Sequence, residues 1–146
     1  MHVHVIAVGK IKERGLRELI DDYVKRIGRY ATYHEVELKD AAPDEVEERI
    51  RKAIPARSRV VALEVLGKAM SSPELAQLVG RAEDTSVMHL VFLIGGSYGL
   101  PPSLSRDADQ QLSLSKLTLP HRLARLLLVE QIYRAFTILR GEPYSH

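Results

Sequence analysis

Met88-His89-Leu90-Val91-Phe92-Leu93-Ile94 runs straight into Gly95-Gly96-Ser97-Tyr98-Gly99. A short apolar run stopped by glycines predicts a strand buried on both faces. Val60-Val61-Ala62-Leu63 repeats the pattern upstream, and His2–Val8, stopped by Gly9, supplies a first strand with Val3, Val5 and Ala7 alternating. Tyr33–Leu38 alternates again. Between these strands the spacing changes to that of helices. Leu16, Leu19, Ile20, Tyr23, Val24 and Ile27 share one helix face that stops near Gly28. Pro43, followed by Asp44, Glu45, Glu47 and Glu48, suits a helical first turn, where acids meet the positive end of the dipole. Ser71 or Ser72, with Pro73 and Glu74, opens a third helix that reaches about Ala82. Apolar strands separated by helices predict an α/β fold with a parallel sheet covered on both faces. No linker or repeat interrupts residues 1–146, so one domain is expected.

Composition narrows the chemistry. Apolar residues are 45% of the chain and charged residues 27%, which suits a globular core rather than a disordered segment. Cysteine is absent, which removes disulfides, thiolate metal ligands and a cysteine nucleophile. No apolar run is long enough to span a bilayer, and Met1 leads directly into a strand without signal-peptide features, so a cytoplasmic protein is expected. The net charge of +2 hides a division. Residues 10–30 and 111–146 each carry +3, whereas residues 31–110 carry −4. Basic ends around an acidic middle fit an anionic partner, and ordinary solvated helix faces fit as well.

In open α/β sheets ligands bind beyond the carboxyl ends of the strands, where glycines allow close backbone approach. Ile94-Gly95-Gly96-Ser97-Tyr98-Gly99 stands at such an end. It lacks the Gly-x-Gly-x-x-Gly spacing of a dinucleotide site. Gly9-Lys10 and Gly67-Lys68 lack the earlier glycine of a phosphate-binding P-loop. A second candidate is Leu112-Ser113-Leu114-Ser115-Lys116-Leu117-Thr118-Leu119-Pro120-His121. Its leucines alternate with small polar residues, as in an apolar slot for a flat heteroaromatic ring or in an edge strand. The last helix runs from Pro120 to Arg140 and is closed by Gly141 and Pro143. Its apolar positions cover more than one stripe, so it is expected to bury one face on the sheet and another on a partner subunit.

Together, Ser113–His121, Arg125, Glu130-Gln131-Ile132-Tyr133-Arg134-Ala135 and Gly141-Glu142-Pro143-Tyr144 resemble the RlmH family. These are ribosomal large-subunit pseudouridine N3-methyltransferases of the SPOUT class. Ile94–Gly99 and Ala7-Val8-Gly9-Lys10 match as well, so the likeness spans nearly the whole chain. The resemblance implies a SPOUT fold with a C-terminal trefoil knot, a departure from the rule that chains avoid knots. It also implies a homodimer, S-adenosylmethionine as cofactor and 23S rRNA as substrate, at a pseudouridine of the helix 69 hairpin. Cofactor contacts then fall on Leu63, Gly95, Gly96, Leu114, Ser115, Lys116, Leu117, Thr118 and Leu119. The catalytic candidates are His121, Arg134, Tyr144 and His146. The family tail reads Pro-Tyr-His and then a basic residue, whereas this chain reads Pro143-Tyr144-Ser145-His146, with the imidazole one place later. With no separate RNA-binding domain, recognition is expected to use the shape of the assembled ribosome. Two other readings stay open: a SPOUT enzyme acting on another RNA such as tRNA, and a non-catalytic ribosome-associated factor.

Single residues sharpen these expectations. His2 and His4 share one strand face, but no third ligand is evident, so no metal site is expected. His121 either orients substrate or fixes the turn before the last helix. Arg134 lies on an apolar helix face and needs an anion, either Glu130 one turn earlier or an RNA phosphate across a dimer. Lys10, Lys12 and Arg14 either hold phosphate or belong to a solvated loop.

Overall fold

A computed structural model describes residues 1–144. Strands β1 (His2–Val8), β2 (Thr32–Leu38), β3 (Ser58–Ala69), β4 (His89–Ile94) and β5 (Gln110–Ser113) form one sheet. Their order is β2-β1-β4-β3-β5, and every ladder is parallel. The helices are α1 (Arg14–Ile27), α2 (Pro43–Ala53), α3 (Ser72–Asp84), α4 (Pro102–Asp107) and α5 (His121–Arg140).

Strand alternation sorts side chains between two cores. Val3, Val5 and Ala7 of β1, with Leu90, Phe92 and Ile94 of β4, face α1, α3 and α5. Ile6, Val8, Val91 and Leu93 face the other way, against Val46 and Ile50 of α2 and Leu104 of α4. The expected α/β sheet covered on both faces is what the chain forms. Helix α3 starts with a capping box, in which the Ser71 side chain accepts from the Glu74 amide and Glu74 accepts from the Ser71 amide. Helix α5 ends at Gly141 in the left-handed conformation, φ 66°.

Two features were not expected from the sequence pattern. The six-residue α4 is capped by Pro101 and opens with Pro102, and β3 extends past Leu63 to Ala69. Leu112 of β5 aligns with both Leu63 and Lys68, so residues 64–67 bulge out of the ladder. Inclusion of a charged and glycine-containing segment in a strand is a consequence of that bulge.

The breadth of apolar surface on α5 has a partly internal explanation. The helix packs against both α1 and α3, and Gly80 of α3 lies where a side chain would meet Leu139. Leu123 and Leu127 remain exposed on α5, and Leu19 on α1.

On the face shared with Ile6 and Val8, His2 and His4 do not stand alone. His34 of β2 and His89 of β4 join them, with ring centroids 4.5–6.3 Å apart. The rings pair as His2–His34 and His4–His89, each at 2.9 Å between nitrogens. Among the described residues no group of three or more such side chains is arranged to hold a metal ion.

Candidate active site

Three loops meet at the carboxyl ends of β3, β4 and β5. The β4 turn contributes Ile94, Gly95, Gly96 and Ser97, while the β3 bulge contributes Leu63, Glu64 and Val65. The segment between β5 and α5 contributes Leu114, Ser115, Leu117, Thr118, Leu119 and Pro120. His121 and Ala124 of α5 complete a cavity of about 430 Å³. That volume is within the range of small-molecule sites. Every residue expected to hold cofactor lines it except Lys116, which is exposed beside it.

The turn depends on Gly95, though not in the way the sequence predicts. A Cβ there would collide with the Gly99 carbonyl carbon and stand 2.5 Å from the Leu100 nitrogen. The space above Gly95 is therefore taken by the protein's own backbone rather than kept for ligand approach. Gly99 closes the turn with φ +78° and an amide bond of 3.0 Å to the Gly96 carbonyl. At the other loop, the Ser115 hydroxyl accepts from the Leu117 amide at 2.9 Å, and the Ser113 hydroxyl donates to the Ser115 carbonyl at 3.0 Å. The small polar residues that alternate with leucine thus brace their own loop.

Among the described residues, His121 is the one catalytic candidate in the cavity wall. Its Nδ1 is 3.3 Å from the Gly95 carbonyl, a bond that makes Nδ1 the donor and leaves Nε2 an acceptor. Nε2 is buried without a partner among the described residues. Burial lowers the His121 pKa, the Arg125 cation adds to that, and the Gly95 bond opposes it, so the ring is neutral at pH 7.

Arg134 and Tyr144 sit elsewhere, in a cluster outside the lining of this cavity. Arg134 pairs with Glu130 at 2.7 Å, the first of its two expected anions, and lies over the Tyr144 ring at 5.0 Å. The Tyr144 hydroxyl donates to Glu130 at 3.1 Å and reaches the Tyr23 hydroxyl at 3.4 Å. Burial, these bonds and the Glu130 carboxylate raise its pKa, so it is a neutral donor. His146 lies outside the described residues.

Arg125, for which the residue pattern suggests no role, is fully buried in the core. Its Nε donates to Glu35 at 3.1 Å, Nη2 reaches Glu35 and Glu37, and Nη1 is 3.4 Å from the Gly9 carbonyl. The sequence signal for it was the pair of acids at alternate positions of β2, which point to one face and so need a cation there.

A sheet with its cavity at the strand ends, walled by the turn after β4 and the loop before α5, defines a class that comparisons with known proteins specify. A family model described as "Predicted SPOUT methyltransferase" matches residues 1–146. The chain is 48% identical over 146 residues to ribosomal RNA large subunit methyltransferase H of Sorangium cellulosum, covering 100% of both chains. It is 42% identical over 153 residues to the protein so named in Geotalea daltonii, again covering 100% of both. Among solved structures, a probable methylase family protein of Haemophilus influenzae superposes with a TM-score of 0.58 at 11% identity, covering 99% of this chain and 70% of that one. That last likeness concerns the fold alone. The chain belongs to the SPOUT methyltransferase family.

Proposed function

We propose that this protein transfers a methyl group from S-adenosylmethionine to N3 of a pseudouridine in the helix 69 hairpin of 23S rRNA. In this reading it acts on assembled ribosomes, as a cytoplasmic homodimer with the C-terminal knot that its family implies. The observation that carries the reading is the cavity, where eight of the nine residues expected to hold cofactor form one wall system. The relatives' names, methyltransferases of large-subunit RNA, support the substrate.

The cofactor supplies an activated methyl on a sulfonium. Leucines 63, 114, 117 and 119 offer apolar walls, and the braced 113–117 loop holds them in place before anything binds. Such alignment of reacting atoms supplies about 7–11 kcal/mol of barrier lowering. Transfer would break the sulfonium S–C bond, form the N3–C bond and release S-adenosylhomocysteine together with the N3 proton. The lining holds two titratable side chains, Glu64 and His121. His121 is the neutral acceptor in that wall, and its Nε2 reaches the proton only by a turn of the ring away from Gly9.

Methylation mapping in a deletion strain tests the substrate. A single helix 69 pseudouridine should lose its methyl and regain it on treatment of purified ribosomes with protein and cofactor. Loss of a methyl from tRNA alone would assign another RNA, and no loss anywhere would assign a non-catalytic factor.

Arg134 and Tyr144 do not line their own chain's cavity, which fits a site completed by a second copy. Leu123 and Leu127 are the exposed apolar residues of α5 available to join the copies. In that arrangement the His121→Ala and Arg134→Ala variants, each inactive alone, should restore about a quarter of wild-type activity when mixed and allowed to exchange. Failure of the mixture, in proteins that exchange subunits, would place both residues in one chain's site.

A further inference from the structure

Arg125 stands one turn after His121 on α5, on the same helix face. Its guanidinium closes a network of two cations and two anions. Arg17 of α1 bonds Glu35 at 2.8 Å and Glu37 at 3.4 Å, the acids that Arg125 also engages. Glu37 further accepts the Ile11 amide at 3.3 Å. The network thus ties α1, β2 and α5 to the loop between β1 and α1.

That loop carries Gly9. Its amide donates to the Leu38 carbonyl at 2.8 Å, and its own carbonyl accepts from Arg125 at 3.4 Å. Gly9 has φ +112°, and a Cβ there would stand 3.1 Å from His121 Nε2. The imidazole is therefore seated between the Gly9 backbone on one side and the Gly95 carbonyl on the other. Apolar residues in place of such a buried network often stabilise a protein as well or better, so stability is a weak reason for its presence.

We propose that Arg125 is a positioning residue for methyl transfer, holding Gly9 and thereby the His121 ring at the cavity wall. The proposal rests on the reading of that cavity as the cofactor site. It divides the labour on α5: His121 faces the reaction, and Arg125 fixes where that ring is.

The charge-balanced pair Arg125→Met with Glu35→Gln tests it, because Arg17 and Glu37 remain to neutralise one another. Three quantities are measured: the melting temperature, the His121 ring titration by NMR, and steady-state kinetics on ribosomes. The expected result is a folded protein whose His121 titrates at higher pH, since the nearby cation is gone. The acid limb of the pH–rate profile moves up with it, and kcat falls on the order of tenfold to a hundredfold while KM for ribosomes is unchanged. Gly9→Ala provides a second arm that leaves every charge in place. Its methyl pushes on Nε2, so kcat should fall similarly with KM retained.

Wild-type His121 titration and kcat in the folded double variant would overturn the proposal. So would full kcat in Gly9→Ala, which decides the matter if the double variant fails to fold. Absence of S-adenosylmethionine binding by the wild-type protein would instead remove the reading of the cavity, and calorimetry on the unmutated chain reports that separately.

Discussion

Gly95→Ala should abolish cofactor binding and lower stability by about 3 kcal/mol, through a cause internal to the fold. The added methyl meets the Gly99 carbonyl carbon, the Leu100 nitrogen at 2.5 Å and the Gly99 Cα at 2.8 Å. All three are backbone atoms, which cannot rotate aside as a side chain does. The turn from Gly96 to Gly99 must open, and with it moves the Gly95 carbonyl that engages His121. Gly96→Ala is the control, because its Cβ would press at 3.1 Å on a Val8 methyl, which can yield. Thermal melting and titration calorimetry on the two variants decide the matter. Wild-type melting and affinity in Gly95→Ala would show that the turn does not close as described.

The second large effect is acid lability. Burial lowers the His4 pKa from 6.5 to about 4, and His34, His89 and His2 add to the shift. His89 is also lowered, by desolvation first and then by His2, His34 and Arg57. The groups facing His4 and His89 are therefore other imidazoles and one guanidinium. An unfolded chain protonates His4 near pH 6.5 and the folded chain resists until about 4, so the unfolded state binds more protons between those values. Stability is complete above about pH 6.5 and is lost as the pH falls towards 4, by about 3 kcal/mol at His4. His121, lowered by burial, acts in the same direction. Melting temperatures should drop steadily through this window, and His4→Val should remove most of the slope while His89 and His121 keep the remainder. A wild-type melting temperature unchanged between about pH 7 and 5 would refute this account.

The pattern of strand and helix was legible because it is local: Val60–Leu63 and Met88–Ile94 announce buried strands from their own residues. Most of the cavity was legible for the same reason, as two of its three walls come from continuous stretches, Ile94–Gly99 and Leu112–His121, whereas Glu64 and Val65 of the β3 bulge were not expected. What escaped depends on residues far apart in the chain. His2 and His4 were visible as a pair, whereas His34 and His89 reach them only through the β2-β1-β4 order. Arg125 looked like one position of an apolar helix because its counter-charges lie 90 and 88 residues earlier. Arg134, whose partner is one turn away, was the cation that helical spacing exposed. For Gly95, no spacing rule reveals that Gly99 folds back over it.

The all-parallel sheet also governs how the chain comes into being during its own synthesis. Strand β1 is made before the β4 that it pairs with, and Ala7 meets Ile94 only after the 86 residues between them have been made. No strand can pair with its successor through a tight hairpin, so every ladder closes a long loop and waits on the entropy of doing so. Helix α5, which covers Val3, Val5 and Phe92, is the last element to emerge. Until residue 140 is free, the nascent chain exposes the apolar face that α5 covers in the finished protein. Folding of this sheet therefore waits on α5, and the interval before α5 docks is when its apolar face is most open to aggregation.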